Sequence, residues 1–188
     1  MMVEADTTWS RRCRNGGREP ATSQGRFQET AQPSGSMSAM SEHTATIVWK
    51  RETPDFTYQS YNRDHDWSFD AGITVRASAN PAYLGSASCV DPEEAFVASL
   101  SSCHMLTFLA VACKKRFVVD GYRDHAVGIL DKDTAGRLAI LRVTLRPEIT
   151  FSGEKTPTPE ELRTLHDQAH HACFIANSVK TEIIVEPA

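Results

Sequence analysis

Signatures of cofactor and nucleic-acid binding are missing from this sequence. No glycine-rich phosphate loop follows a predicted strand, and no flavin, haem or nucleotide motif is visible. Lysine and arginine form no continuous stripe and the net charge is −4, which makes nucleic acid an unexpected partner. We therefore expect a protein that works without a bound cofactor.

The first forty residues lack the features of a targeting segment. They contain no apolar core of a signal peptide, and their four acidic residues argue against a transit peptide. Because their glycines, prolines and arginines follow no apolar period, residues 1–40 are predicted to be a disordered extension or an overcalled start, with Met40 as a natural beginning. Residues 41–188 are long enough for one domain.

Cysteine usage indicates the cellular compartment. Five cysteines without a signal peptide suggest a reducing cytoplasm, where a transient catalytic disulfide is expected and a structural disulfide framework is not. Cys13, Cys89 and Cys113 are interpreted as bystanders. Cys103 and Cys173, which lie in two distinctive segments, are the candidates for chemistry.

Residue patterns predict an α+β fold with antiparallel sheets. A cap, a proline and acidic residues mark the starts of two helices, from Pro92 to about Lys115 and from Pro159 to about Cys173. Alternating apolar residues and turn signals predict the strands, which span residues 44–49, 56–61, 67–77 with a bend at Ala71-Gly72, 117–122, 125–131, 138–151 and 181–186.

The first helix is unusually apolar, since residues 95–113 include no charged side chain. A membrane span has to be considered at this length. The serines within the run and the capping box at its start favour a helix that protein buries on most sides.

Cys103 lies about three turns inside this helix. An apolar surrounding raises a thiol pKa, and the helix dipole acts only in the first turn, so a reactive Cys103 needs a cation from elsewhere. Taken alone, Cys103 is most simply a small buried hydrophobe, and Cys173 a buried cysteine at a helix end.

Three segments together favour a chemical role for both cysteines: PEEAF at residues 92–96, SSCHML at 101–106 and CFIANSVKTEI at 173–183. As a set, over roughly residues 43–187, they resemble the OsmC/Ohr family of thiol peroxidases. The resemblance implies an intertwined homodimer in which antiparallel sheets enclose the long helix. It also implies reduction of organic or fatty-acid hydroperoxides at the expense of a dithiol such as a lipoyl protein.

The resemblance also implies the site residues. Cys103 would be the peroxidatic cysteine, Cys173 the resolving cysteine, Arg51 the activating cation and Glu93 its acidic partner. Arg63 is the alternative cation, because Arg51 lies slightly earlier than the family position. Ten residues of helix separate Glu93 from Cys103 by about 15 Å, so Glu93 is expected to serve the Cys103 of the second subunit.

Alternatives from other classes remain. His104 stands where many family members have an aromatic residue, and it is interpreted first as a core residue, then as a pocket group or a base. The cysteines and histidines near residues 103 and 170 could form a zinc site, although they lack CxxC or HxxxH spacing. A non-enzymatic protein that binds a hydrophobic ligand in an apolar cleft is the third hypothesis.

Overall fold

The computed structural model describes residues 41–187, so the predictions for residues 1–40 lie outside its range. The described residues form eight strands and two α-helices. In chain order these are β1 Ala45–Val48, β2 His65–Phe69, β3 Thr74–Ala77, α1 Pro92–Lys114, β4 Val118–Asp124, β5 Val127–Lys132, β6 Leu138–Leu145, β7 Pro147–Ser152, α2 Pro159–Ala172 and β8 Glu182–Val185. The α+β class and both helices are confirmed.

Two strand predictions were wrong in detail. Residues 56–61 form a turn, in which the Ser60 hydroxyl accepts a hydrogen bond from the Thr57 N–H at 3.1 Å. The long strand over residues 138–151 is interrupted at Arg146, whose N–H donates to Asp124 Oδ1 at 2.6 Å instead of to a neighbouring strand. Pro147 follows and has no N–H to donate, so β7 begins as a separate strand.

The strands form three sheets, in the orders β1-β2-β3, β4-β7 and β5-β6-β8. All pairs are antiparallel except β6 with β8, which is parallel. The expectation of antiparallel sheets is therefore wrong for β8. This strand follows β7 and α2, and a long connection of that kind permits a parallel return.

Capping boxes start both helices, as the sequence predicted. In α1 the Glu94 N–H donates to Asp91 Oδ1 at 2.7 Å, and the Asp91 N–H donates to Glu94 Oε2 at 3.2 Å. Thr158 and Glu161 make the equivalent pair of bonds in α2. These bonds satisfy donors that no helical carbonyl can reach, which fixes where each helix begins.

One stripe of α1, with members four residues apart, packs into the core: Leu100, His104, Phe108 and Ala112. Its C-terminal half contacts α2, β4 and β7, and its N-terminal half contacts β6 and β8. Gly128 lets α1 approach β5 closely, since a Cβ there would lie 2.5 Å from Val97 Cγ2. The core therefore positions the middle of α1 against the end of α2.

The sheet β1-β2-β3, which we call the N-terminal arm, packs very differently. No other helix or strand of the described chain makes more than marginal contact with it, and all four residues of β1 are exposed. Exposed apolar side chains on and beside its strands include Ile47, Val48, Trp49 and Ile73. A three-stranded sheet with so little covering buries too little apolar surface to be stable alone.

α1 is likewise covered along only one stripe in the single chain. Among the described helices, α1 alone is long and apolar enough to cross a membrane by length and composition, a test that the core helix of a protein also passes. The buried residues of this helix in the single chain are Leu100, His104, Phe108 and Ala112.

Candidate thiol redox site

Cys103 occupies a half-buried position on α1, next to the buried stripe and not within it. The surrounding helix is regular, and the Thr107 hydroxyl donates to the Cys103 carbonyl at 2.8 Å. A helix built in this way holds the Cys103 side chain in one direction but leaves part of it reachable from outside.

Cys173 follows the last residue of α2 and is only 1% exposed. Its Sγ accepts a hydrogen bond from the Ala176 N–H at 3.4 Å. Asn177 stabilises this turn, since its N–H donates to the Cys173 carbonyl at 3.0 Å and its side-chain amide donates to the His171 carbonyl at 3.1 Å. The backbone therefore orients the Cys173 sulfur.

The two cysteines are neighbours in the fold although 70 residues separate them in the sequence. Burial is the main cause that raises the pKa of Cys173 to about 11, and hydrogen bonding with the Cys103 side chain raises it further. Backbone N–H groups of Ala176 and Ile175 act in the opposite direction. Both cysteines are free, and at neutral pH Cys173 is protonated.

The two candidate arginines differ sharply in their surroundings. Arg51 is exposed, and its guanidinium donates to the Pro54 carbonyl at 2.8 Å. Arg63 is 9% exposed and donates to the Tyr61 carbonyl at 2.6 Å and to the Tyr58 carbonyl. Its guanidinium lies 4.0 Å from the centre of the Tyr61 ring. Neither arginine forms an ion pair within the described residues.

Arg63 lines a cavity of about 420 Å³ that also reaches the start of α1 at Pro92. The aromatic rings of Trp49, Phe56 and Tyr61 surround this cavity. The space around the Arg63 guanidinium is largely apolar, and no carboxylate is among the described residues that line it. Such a space strengthens the attraction of an anion.

Glu93 is the second residue of α1 and lines a groove of about 850 Å³ that follows one face of this helix. It has no hydrogen bond or ion pair within residues 41–187. Because α1 is continuous from Pro92 to Lys114, the separation of about 15 Å from Cys103 stands, and the two side chains do not meet in one chain.

The comparisons with known proteins identify the family. The family model described as OsmC-like protein matches residues 85–188. The chain belongs to the OsmC-like family. The solved structure of an OsmC-like protein of unknown function from Vibrio cholerae is 49% identical, with a TM-score of 0.77 over 79% of this chain and 100% of that one.

Two more distant structures share the fold. An organic hydroperoxide resistance protein from Elizabethkingia anophelis is 19% identical, with a TM-score of 0.61 over 80% of this chain and 96% of that one. The organic hydroperoxide resistance protein OhrB of Bacillus subtilis is also 19% identical, with a TM-score of 0.57 over 78% and 98%. No protein with a curated description is similar enough in sequence to count as a match.

A buried histidine pair lies beside the thiols of this OsmC-like chain. His104, the neighbour of Cys103, is 1% exposed, which confirms its interpretation as a core residue. Its partner His166 in α2 is 3% exposed, and the sequence analysis missed it. The only sequence signal was helical spacing, since His166 precedes Cys173 by seven residues, or about two turns.

The remaining cysteines and histidines do not gather into a metal site. Within residues 41–187 no three His, Cys, Asp or Glu side chains are placed to hold one ion. Cys113 is exposed and Cys89 half-buried, both as free thiols, whereas Cys13 lies outside the described range. The cysteine pair that sequence motifs singled out is the pair that the fold brings together.

Proposed function

We propose that this OsmC-like protein is a thiol-dependent peroxidase that reduces organic hydroperoxides. The observation that carries the proposal is the contact of two free thiols, Cys103 and Cys173, from separate elements of the fold. The names of two structural neighbours, organic hydroperoxide resistance proteins, are consistent with this chemistry.

Two steps would complete the oxidising half of the cycle. The Cys103 thiolate attacks the terminal oxygen of the hydroperoxide, the O–O bond breaks, and the alkoxide takes a proton and leaves as an alcohol. Cys103 is then a sulfenic acid. The Cys173 thiol attacks its sulfur, the S–O bond breaks, and the proton of Cys173 leaves with the hydroxyl as water. A dithiol reductant would restore both thiols.

The surroundings of the two cysteines support this division of roles. Cys173 is 1% exposed and its pKa is raised to about 11, so it is a poor first nucleophile at neutral pH. Cys103 is half-buried and can be approached from outside. A thiol that is hidden and protonated until its neighbour is oxidised suits the resolving role.

Exposed apolar side chains next to the thiols favour an organic peroxide. Phe174, which follows Cys173, is 81% exposed, and Leu106, one turn beyond Cys103, is 60% exposed. Burying an alkyl or aryl group against such an apolar surface is favourable, whereas hydrogen peroxide has no apolar group to bury. An alkyl hydroperoxide would therefore bind better than hydrogen peroxide.

We further propose that the active form is a homodimer with a shared site. The N-terminal arm exposes apolar residues and α1 lacks cover on most sides, so a second copy would bury both. If two copies of α1 cross antiparallel near Ala98, Glu93 of one chain falls beside Cys103 of the other. The groove along α1 would then hold the second chain.

Arg63 is the better candidate for the activating cation in this dimer. It is buried, has no acidic partner within the described residues, and lines the same cavity as Pro92, the residue before Glu93. Arg51 instead bonds the Pro54 carbonyl at the surface. We therefore assign the cation to Arg63, with Glu93 of the same chain as its acidic partner, and both would serve Cys103 of the second chain.

Stopped-flow oxidation with cumene hydroperoxide and with hydrogen peroxide tests the activity. We expect faster oxidation by the organic peroxide, followed by a Cys103–Cys173 disulfide that peptide mapping identifies. Two free thiols after treatment, or Cys103 joined to Cys113, would contradict the proposal. Binding of a fatty acid without any thiol oxidation would instead support the non-enzymatic hypothesis.

Subunit mixing tests the shared site. A heterodimer of Cys103→Ser and Glu93→Ala chains places both changes at one site and leaves the other site intact. We expect activity to return on mixing, with heterodimers verified by native mass spectrometry. An inactive mixture that contains heterodimers would rule out sharing between chains.

A further inference from the structure

His104 and His166 form a direct contact between the two helices that bear the cysteines. His104 Nε2 and His166 Nδ1 are 3.1 Å apart, and the rings are nearly parallel, with 4° between their planes and 5.4 Å between their centres. The Phe108 ring lies 4.6 Å from that of His166 and closes the pair on one side.

Burying this pair of histidines costs folding free energy. His104 Nδ1 and His166 Nε2 are both buried and have no hydrogen-bond partner within the described residues. Two neutral imidazoles carry one N–H each, and their mutual bond uses only one, so one N–H stays unpaired in either tautomer. Two apolar side chains in place of the histidines would avoid this loss.

Burial keeps the pair neutral. Burial is the main cause that lowers the pKa of each ring to about 4; His104 also faces His166 and His170. Asp167 in α2 and Asp124 in β4 act on His166 in the opposite direction. A ring with a pKa of about 4 is too weak a base to take a proton from a thiol with a pKa of about 11.

The position of the pair points to a different role. His104 is adjacent to Cys103 on α1. His166 lies on α2, and Cys173 directly follows the last residue of that helix. The rest of this interface consists of apolar residues such as Leu165 and Ala169, whose packing has no direction and tolerates small sliding. A hydrogen bond at 3.1 Å has both a direction and a length.

We propose that the His104–His166 hydrogen bond is a register pin that sets α2 along α1 so that Cys173 can reach Cys103. This role rests on the proposed thiol chemistry. A disulfide requires Cα atoms about 4.4–6.8 Å apart, and a slip of one residue along a helix is about 1.5 Å. Buried polar contacts are known to specify register at a cost in stability.

A double substitution separates this role from packing. His104→Phe with His166→Phe keeps an aromatic ring at each position but removes the hydrogen bond and both unpaired nitrogens. We expect this variant to melt at or above the wild-type temperature. Its Cys103–Cys173 disulfide should form about tenfold more slowly or worse, as misplacement by an ångström does in other sites.

A matched variant keeps the hydrogen bond without titration. The side-chain amide of glutamine reaches the place of a histidine Nε2, and that of asparagine the place of Nδ1. His104→Gln with His166→Asn should therefore form the disulfide at a rate within about threefold of wild type. Below about pH 5 both rates should fall with the thiolate fraction, but the wild-type rate should fall more steeply because the histidine pair also gains a proton.

The measurement is the rate of disulfide formation with diamide, which oxidises dithiols without any peroxide. Its outcome is therefore independent of whether the protein reduces hydroperoxides; loss of peroxide oxidation with normal diamide kinetics would count only against the proposed function. Wild-type diamide kinetics in a folded Phe/Phe variant would overturn the register pin. So would a Gln/Asn variant that folds, shown by circular dichroism, but is as slow as Phe/Phe.

Discussion

Around α1 the core buries every fourth residue of the helix from Leu100 to Ala112, whereas in the N-terminal arm every residue of β1 is exposed. The first region has its own core and brings Cys103 and Cys173 together. The second packs on little else, and Arg63 lies just before its strand β2. The comparison shows that one chain brings the thiols together, while the cation that we assign to them would come from a second chain.

The largest effect should come from the thiols themselves. Cys103→Ser should reduce peroxide turnover by about a thousandfold or more, since no other thiol occupies its position. Cys173→Ser should permit one rapid oxidation and then stop at sulfenic acid. Stopped-flow and mass spectrometry follow both steps, with exposed Cys113→Ser as the matched control.

Undiminished turnover in Cys173→Ser would show that an external thiol performs the resolving step. Loss of turnover in Cys113→Ser would contradict the bystander assignment of Cys113. Either result would contradict the proposal that peroxide turnover depends on Cys103 and Cys173 alone.

The packing contrast predicts a difference in stability. Phe108 is completely buried in the α1–α2 core, so Phe108→Ala should lower the free energy of unfolding by about 3–5 kcal/mol. Phe56 is 66% exposed, so Phe56→Ala should cost about 1 kcal/mol or less. Urea unfolding of both variants at low concentration, where a dimer dissociates, measures this difference; equal losses would mean that the arm carries a core of its own.

The histidine pair makes the α1–α2 interface sensitive to acid. The pKa of each ring is about 4 in the folded chain and about 6.5 in the unfolded chain, so the unfolded state binds more protons between these values. Stability should therefore be complete above about pH 6.5 and fall as the pH drops toward 4, by roughly 3 kcal/mol for one ring.

Urea unfolding between pH 4 and pH 7 checks this dependence. His104→Phe with His166→Phe should remove this part of it, whereas the exposed His125→Phe should not. An unchanged pH profile in the double variant would assign the acid sensitivity to other groups.

The smallest effects should distinguish the arginines of the arm region. Arg63→Ala should slow the first oxidation of Cys103 about tenfold, because the thiolate loses its proposed cation. Arg51→Ala should change the rate by less than about twofold, as expected for an exposed side chain. Rate–pH profiles measure both. The reverse order would restore Arg51 as the cation.

The sequence was most informative where its signals are local. Capping residues located the starts of both helices, and His104, interpreted first as a core residue, is buried. It failed for residues 56–61, where Tyr58 and Phe56 suggested a strand but hydrogen bonds of Thr57 and Ser60 make a turn. Phe56 and Tyr58 are separated by one polar residue, and aromatic residues spaced in this way are also typical of a strand.

By itself, the sequence determined the fold class, the family and the two cysteines, because caps, periodicity and short motifs are properties of neighbouring residues. Only the tertiary structure decided that Cys173 meets Cys103, that His166 bonds His104 and that Arg63 is buried while Arg51 is not. These facts join residues far apart in the chain. They depend on how helices and sheets pack, and no local pattern encodes such distances.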